Sequence, residues 1–507
     1  MRRSVLMMLL LSMSLLMSAK STTAKSGRSR QSKSASKTLP LTTSSEKARA
    51  LFEKGMQDYE NLYLDQSTQD WRDAAAADPN FALAHAWVAF NSNHPAEVVA
   101  EREKAKSLAS TTTPGEQLMI KWIVDVQENN FVPGIAAMND MLAMYPKDKR
   151  LIYLAANWLM GENDNERART LCERALRIDK DYPAALNDLA YAYARVGNFP
   201  PAFVAMDHYT KVLPDEPNPQ DSYAEILRMS GKFEAALDHY RAALKIDPKF
   251  YTSQLGLGDT YALMGDEERA RAEYQKAIDE DPNEANRVNT ALQSGMTWVR
   301  ENKLEEADKA FAAVAQQAHE KGLNLMEARA HRFMAMYQKE DKSALAHLEQ
   351  AESALSHHDI SEWERQEERA RILRVRVSRA QNSGNHKLAN KSLRQLETLA
   401  KESRNTVILQ SYHAAAGMLD MAQEKYQEAI SNLQEDGNDP VSLELLSRAY
   451  QATGALDEQH TIQSKLRAIN MPTLEQALIV VPARAQRPFS RPTPGQAPVA
   501  LQTLSRP

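Results

Sequence analysis

The stretch that decides the fold is Tyr182–Pro282. It reads YPAALNDLAYAYARVGNFPPAFVAMDHYTKVLP over residues 182–214 and DEPNPQDSYAEILRMSGKFEAALDHYRAALKIDP over 215–248. The third line, 249–282, is KFYTSQLGLGDTYALMGDEERARAEYQKAIDEDP. Laid under one another, the lines align at a period of 34 residues. Gly197, Gly231 and Gly265 form one column, Ala202, Ala236 and Ala270 another, and Pro214, Pro248 and Pro282 a third. Tyr193, Leu227 and Tyr261 align, as do Met206, Tyr240 and Tyr274, and Ala190, Ala224 and Gly258 supply a column of small residues. With only 17 glycines in 507 residues, three at one period point to a repeated unit. A period of this length is the mark of a solenoid.

Within one unit, Leu186–Ala194 and Ala202–Leu213 each carry an apolar stripe at helical spacing. Gly197 falls between them, where a tight turn needs backbone freedom. The small Ala190 and Ala202 let two antiparallel helices approach, and Pro214 ends the second helix because it lacks an N–H and clashes with the preceding turn. The unit is helix–turn–helix, and its apolar faces need neighbours on both sides.

These columns resemble the tetratricopeptide repeat (TPR) family: Leu-x-x-Leu-Ala-x-x-Tyr, then Gly, Ala, an aromatic or Met, Ala and Pro. The resemblance implies an all-α, right-handed α-solenoid with a concave groove that binds proteins or peptides. Clear in three units, the 34-residue frame extends from about Lys47 to Glu284, which makes seven units over 46–284. Trp71, Trp87, Trp122 and Trp158 fall on apolar faces there and read as core. After Glu284 the frame slips by three, and about five less regular pairs follow over 285–481. The slip marks a candidate subdomain boundary. Thr473–Val480 is expected to cap the last exposed apolar face.

The ends differ in composition. Met1–Leu16 opens with Arg2 and Arg3, and Ser4–Leu16 carries no charge. That matches a secretory signal over residues 1–19 and is short for a membrane span. Export, mostly to a periplasm, is the expectation, with a retained membrane anchor as the alternative. Residues 20–45 are rich in Ser, Lys and Arg and read as a disordered tether, whose positive charge allows contact with a membrane surface. Residues 482–507 hold no acid and read as a disordered, proline-rich tail. Eight basic residues precede Glu46 and four arginines follow Val481, so the formal net charge of −5 leaves the repeat body at −17. An acidic body argues against nucleic acid, whose phosphates need a basic face. Cys172 is the sole cysteine, so no intramolecular disulfide forms.

No residue set reads as catalytic, and neither a cofactor, a metal nor a small-molecule substrate is expected. The segment "GLGDTYALMG" lacks the preceding strand of a dinucleotide loop, and Gly258 and Gly265 are repeat columns. Cys172 shares the column of Met206 and Tyr240 and reads as a buried small hydrophobe. His357-His358-Asp359 reads as a solvated loop, and the run Arg369, Arg371, Arg374, Arg376 and Arg379, beside Glu364, Glu367 and Glu368, as a charged solvent face. If first helices line the groove, their non-core residues are Asn187, Tyr191 and Arg195, then Asp221, Glu225 and Arg228, then Asp259. TPR domains that clamp a C-terminal carboxylate use Lys, Asn and basic residues there, whereas this chain offers Asp221, Glu225 and Asp259, a departure that argues against such a clamp. The expected function is a non-enzymatic scaffold or adaptor that binds a peptide or protein in the groove. A regulatory or substrate-recruiting subunit of an envelope enzyme complex is the alternative.

Overall fold

The computed structural model describes residues 38–485 apart from Asn93, Asn129, His358, Asp359 and Arg404. Expectations about the signal segment, the tether before Thr38, the chain after Ala485 and the His358-Asp359 pair lie outside these residues. Among the described residues the regular structure is all helical. Seven pairs come first: α1 Glu46–Glu60 with α2 Leu64–Ala77, α3 Ala82–Asn91 with α4 Pro95–Leu108, α5 Pro114–Gln127 with α6 Phe131–Met144, α7 Lys149–Gly161 with α8 Asn165–Ile178, α9 Pro183–Arg195 with α10 Phe199–Val212, α11 Pro217–Met229 with α12 Phe233–Ile246, and α13 Tyr251–Met264 with α14 Glu267–Glu280. Five follow: α15 Glu284–Arg300 with α16 Leu304–Glu320, α17 Asn324–Tyr337 with α18 Asp341–Ala354, α19 Glu362–Asn382 with α20 His386–Glu402, α21 Thr406–Ala422 with α22 Tyr426–Leu433, and α23 Pro440–Thr453 with α24 Leu456–Arg467. The expected seven and five pairs are therefore both present.

The turns inside the pairs show why the period holds. Gly197, Gly231 and Gly265 all have positive φ, near +80°, a region that costs glycine nothing. Asn163 takes the same conformation one period earlier, at φ 58°, as asparagine tolerates. The next such residue after Gly265 is Asn302, at φ 57°. It comes 37 residues later because α15 has 17 residues where α13 has 14. The slip in frame is thus one longer helix. α15 packs on α14 as its neighbours pack on theirs, with Val288 and Leu292 buried.

The core follows the columns. Ala190, Ala202, Met206, Ala224, Ala236 and Ala270 are fully buried, and Tyr240 and Tyr274 nearly so. Trp71, Trp87 and Trp122 are buried and Trp158 half-buried, and with Phe90 between Trp87 and Trp122 their rings pass contact along the first four units at centroid distances of 5.0–6.2 Å. Burial also pushes the Cys172 thiol up, which keeps it protonated and inert.

Contacts between distant units define the superhelix. Thr406 Oγ1 donates to the Glu162 carbonyl across 244 residues, and Asn470 Nδ2 to the Met229 carbonyl across 241. One superhelical turn therefore takes roughly seven units. The odd-numbered helices face inward, since α1, α3, α5 and α7 together line a single cavity.

Four expectations are revised. The tether does not run unpacked to Ser45, because from Thr38 on it is hydrogen-bonded to three units, as described below. The tail does not begin at Pro482: helical structure continues through Val481–Ala485, and Arg484 donates to the Arg467 and Ile469 carbonyls. The helical segment before it does more than cap the last pair. Val480 packs with Leu443 and Leu466, while Leu474 and Ala477 pack with Val288 and Leu292 of α15. Most of the arginine run of α19 is not a solvent face either. Glu368 is 1% exposed and bonds Arg332, Arg374 reaches Asp439 and Asp436, Arg376 the Leu348 carbonyl, and Arg379 the Ala335 and Met336 carbonyls. Only Arg369 and Glu364 stay exposed. The helix has neighbours on both flanks, so long polar side chains span to them instead of pointing to water.

Candidate functional site

The inner row of α9, α11 and α13 carries the seven residues expected to line a groove. Tyr191, Glu225 and Asp259 stand one period apart, so the solenoid stacks them on consecutive odd helices. The Tyr191 hydroxyl donates to Glu225 Oε2 at 2.7 Å. Arg228 donates to Glu225 Oε1 at 3.2 Å and to Asp259 Oδ2 at 2.5 Å, and the Tyr274 hydroxyl donates to Asp259 Oδ1 at 2.8 Å. Asp221 accepts from the Ser253 hydroxyl at 2.5 Å. Asn187 lies apart, buried, with its Oδ1 unpartnered among the described residues, and Arg195 is exposed and donates to the Met160 carbonyl. Four of the seven residues, Tyr191, Glu225, Arg228 and Asp259, therefore form one network, and Asp221 lies beside it with Ser253.

That network is mostly internal. Arg228 and Asp259 are nearly fully buried, and only Tyr191, Asp221 and Glu225 are half-exposed. Burial pushes Asp221 up to about 7 and raises Asp259 as well, with Arg228 pulling the other way in both. Burial opposes the charge of Arg228, but Tyr240, Asp259 and Glu225 around it raise its pKa, so it stays a cation. A half-protonated Asp221 can donate or accept a hydrogen bond near neutral pH. Sequence reasoning missed Ser253 and Tyr274. Tyr274 sits in the core column, and nothing in its spacing says that its hydroxyl turns toward Asp259.

A second polar site lies at the junctions before α3, α5 and α7. The extended segment Thr38–Ser45 runs past them in reverse order of the units. The Leu39 N–H donates to Asp148 Oδ2 at 2.8 Å, while Asp148 Oδ1 caps α7. The Thr42 N–H donates to Glu116 Oε1 at 2.6 Å and its hydroxyl to Glu116 Oε2, the carboxylate that closes the capping box of α5 with Thr113. The Thr43 hydroxyl donates to Asp78 Oδ2 at 2.5 Å, and Arg49 holds the Leu41 and Thr43 carbonyls. Ser45 then caps α1. Leu39 and Leu41 pack on the core of the first units. No periodic signal announces this segment, because it belongs to no repeat.

Two cavities flank α1. One of about 260 Å³ is lined by Leu39, Leu41, Phe52, Met56, Leu83, Trp87, Met119 and Leu154. The other, about 520 Å³, lies between α1 and the starts of α7 and α9, where Arg150 bonds Glu60 and Glu53. Among the described residues no three His, Cys, Asp or Glu side chains gather as a metal site, and no helix is long and apolar enough to cross a membrane.

Stacked helix pairs with an inward polar row define a helical-repeat array. The family model for the tetratricopeptide repeat matches residues 159–226 and 227–294. The TPR repeat-containing protein YpiA of Bacillus subtilis (strain 168) is 24% identical over 211 residues, which are 39% of this chain and 47% of that protein. The chain thus spans about half the length of that relative. Among solved structures, a tetratricopeptide repeat protein of Parabacteroides merdae aligns over 54% of this chain and 93% of its own at 15% identity and a TM-score of 0.35. A thermophilic TPR protein of Thermus thermophilus aligns over 39% and 99% at 22% identity and a TM-score of 0.31. Residues 159–294 are therefore tetratricopeptide repeats, set within an array of like helix pairs. Such arrays are generally protein–protein interaction scaffolds.

Proposed function

We propose that this protein is a non-enzymatic scaffold or adaptor that takes an extended peptide or a protein segment on the inner face of its array. One observation carries the reading. The inward side of the first four units already holds an extended stretch, Leu39–Thr43, through carboxylates that accept its N–H and hydroxyl groups. A surface that grips one extended chain in this way has the chemistry to grip another. The half-exposed Tyr191, Asp221 and Glu225 and the exposed Arg195 continue a polar inner row beyond it. The acidic repeat body favours a partner with basic or hydroxyl-rich segments over nucleic acid. The apolar run Ser4–Leu16 supports action outside the cytoplasm, in a bacterial envelope, and the basic residues after it a peripheral touch on the membrane.

A photo-crosslinking residue placed at Arg195, or at the outward Val204 (68% exposed) as control, tests the inner face in an extract of the source cell. A partner captured at position 195 and not at 204 is expected. Capture at 204 alone, or none at either position, overturns the reading.

A further inference from the structure

The segment Leu39–Thr43 is held by carboxylates near the junctions of three successive units, each at a different position relative to its helix. Asp78 precedes α3, Glu116 stands in the first turn of α5, and Asp148 caps α7. Each carboxylate serves its own helix junction with one set of contacts and the segment with another. Pro40 keeps Leu39 extended, because a residue before proline is pushed out of the helical region. Leu39 is seated beside Tyr145 at Gly115: a Cβ there would come within 2.5 Å of the Tyr145 hydroxyl and 2.8 Å of Leu39 Cδ1, so Gly115 leaves room that the Tyr145 ring and Leu39 share.

The fit is incomplete. Beside Leu39 and Leu41 lies a cavity of about 260 Å³ whose floor, Phe52, Met56, Leu83 and Trp87, is nearly fully buried. Unfilled space forfeits contacts on the walls that face it. Both leucines are only half-buried. Leu39 is pinned at Gly115, so Leu41 is the position from which a larger side chain enters the cavity.

Resting on the scaffold reading, we propose that Leu39–Thr43 is a built-in stand-in ligand. The edge formed by the starts of α3, α5 and α7 receives a partner protein's extended segment of the same pattern: an apolar residue, a large apolar residue two positions on, then a hydroxyl residue. The partner's larger side chain fills the cavity that Leu41 leaves open and displaces the segment. Tethering sets the threshold. A segment joined directly to α1 acts at an effective concentration on the order of millimolar, so only a better-fitting chain competes at lower concentration.

The test uses the full chain and synthetic peptides of residues 37–45 carrying a fluorophore. The variant Leu39→Asp/Leu41→Asp frees the edge, with its fold checked by circular dichroism. The peptide with Leu41→Phe is expected to bind this variant at least tenfold more tightly than the unaltered chain, and more tightly than the natural peptide. A Leu41→Asp peptide is expected not to bind. Equal affinity for both chains, or no binding to a folded variant, overturns the proposal. If the variant does not fold, hydrogen exchange on the unaltered chain decides. Millimolar Leu41→Phe peptide is expected to speed exchange of the Leu39 and Thr42 amides, and unchanged exchange overturns the proposal. A freed variant that doubles its mass by sedimentation without peptide assigns the edge to a second copy and overturns the partner. Failure here leaves capture at Arg195 untouched, so the two readings fail separately.

Discussion

Arg228 of α11 donates to Asp259 of α13 at 2.5 Å, and neither residue is more than 6% exposed. The pair bridges consecutive inner helices and lies between Glu225 and Tyr274 in one chain of hydrogen bonds. Breaking a buried pair from one side strands the other charge. Arg228→Met is expected to cost about 3–5 kcal/mol in denaturant unfolding. The double variant Arg228→Met/Asp259→Asn is expected to recover much of that loss. A single variant as stable as the parent refutes the buried pair.

The buried carboxylates set a pH dependence. Burial pushes Asp221 and Glu267 to about 7 and Asp188 to about 6. The folded chain keeps protons that the unfolded chain has lost, so these groups remove stability as pH rises from about 4 to about 7. Lowering the pH from 8 to 5 is expected to raise the melting temperature. Below that, Glu97 opposes the trend, since the Arg72 hydrogen bond holds it at about 2. Asp221→Asn keeps an acceptor for Ser253 and is expected to flatten the rise. A melting temperature that falls steadily from pH 8 to 5 contradicts this account.

Glu368 tests the packing of α19. Glu368→Ala leaves Arg332, itself 6% exposed, without its carboxylate and sets it against Arg329 and Arg371. A loss of about 3–5 kcal/mol is expected, reduced when Arg332→Met is added. A change within about 0.5 kcal/mol, typical of a surface position, would return the helix to the solvent face that its charges suggest.

Glycines in the inner helices separate space from backbone freedom. A Cβ on Gly256 would overlap the Tyr240 ring, itself locked in the core. Gly256→Ala is expected to cost about 1–3 kcal/mol by overpacking. At Gly161 a Cβ meets nothing within 4 Å, and Gly161→Ala is expected to cost nothing. Thermal melts of the two variants give the comparison.

The inner row shows how far spacing reaches. Tyr191, Glu225 and Asp259 share one column, and complementary donors and acceptors in a column of a solenoid meet on neighbouring helices. The network was within reach of that reasoning, while its depth of burial was not. Asp221 and Glu225 read as groove-lining, non-core residues because their own helices leave them off the apolar stripe. Burial comes from helices and side chains of other units. The arginine run of α19 misleads for the same reason, since a single helix does not reveal which of its faces later meets a neighbour.

The amino-acid string alone settles the unit, the place of each turn, the number of pairs and the core columns, while the helices of the clearest unit begin earlier than its apolar stripes, at Pro183 and Phe199. Each of these depends on contacts within a unit or with the next one, and a 34-residue period records such contacts directly. Tertiary structure alone decides where the superhelix closes. A small rotation per unit, summed over roughly seven units, brings Glu162 to Thr406 and Met229 to Asn470. It also decides that Leu39–Thr43 lies along the inner edge, because that segment's partners stand 35–109 residues away and belong to three different units. No local pattern encodes contacts assembled from so many small rotations.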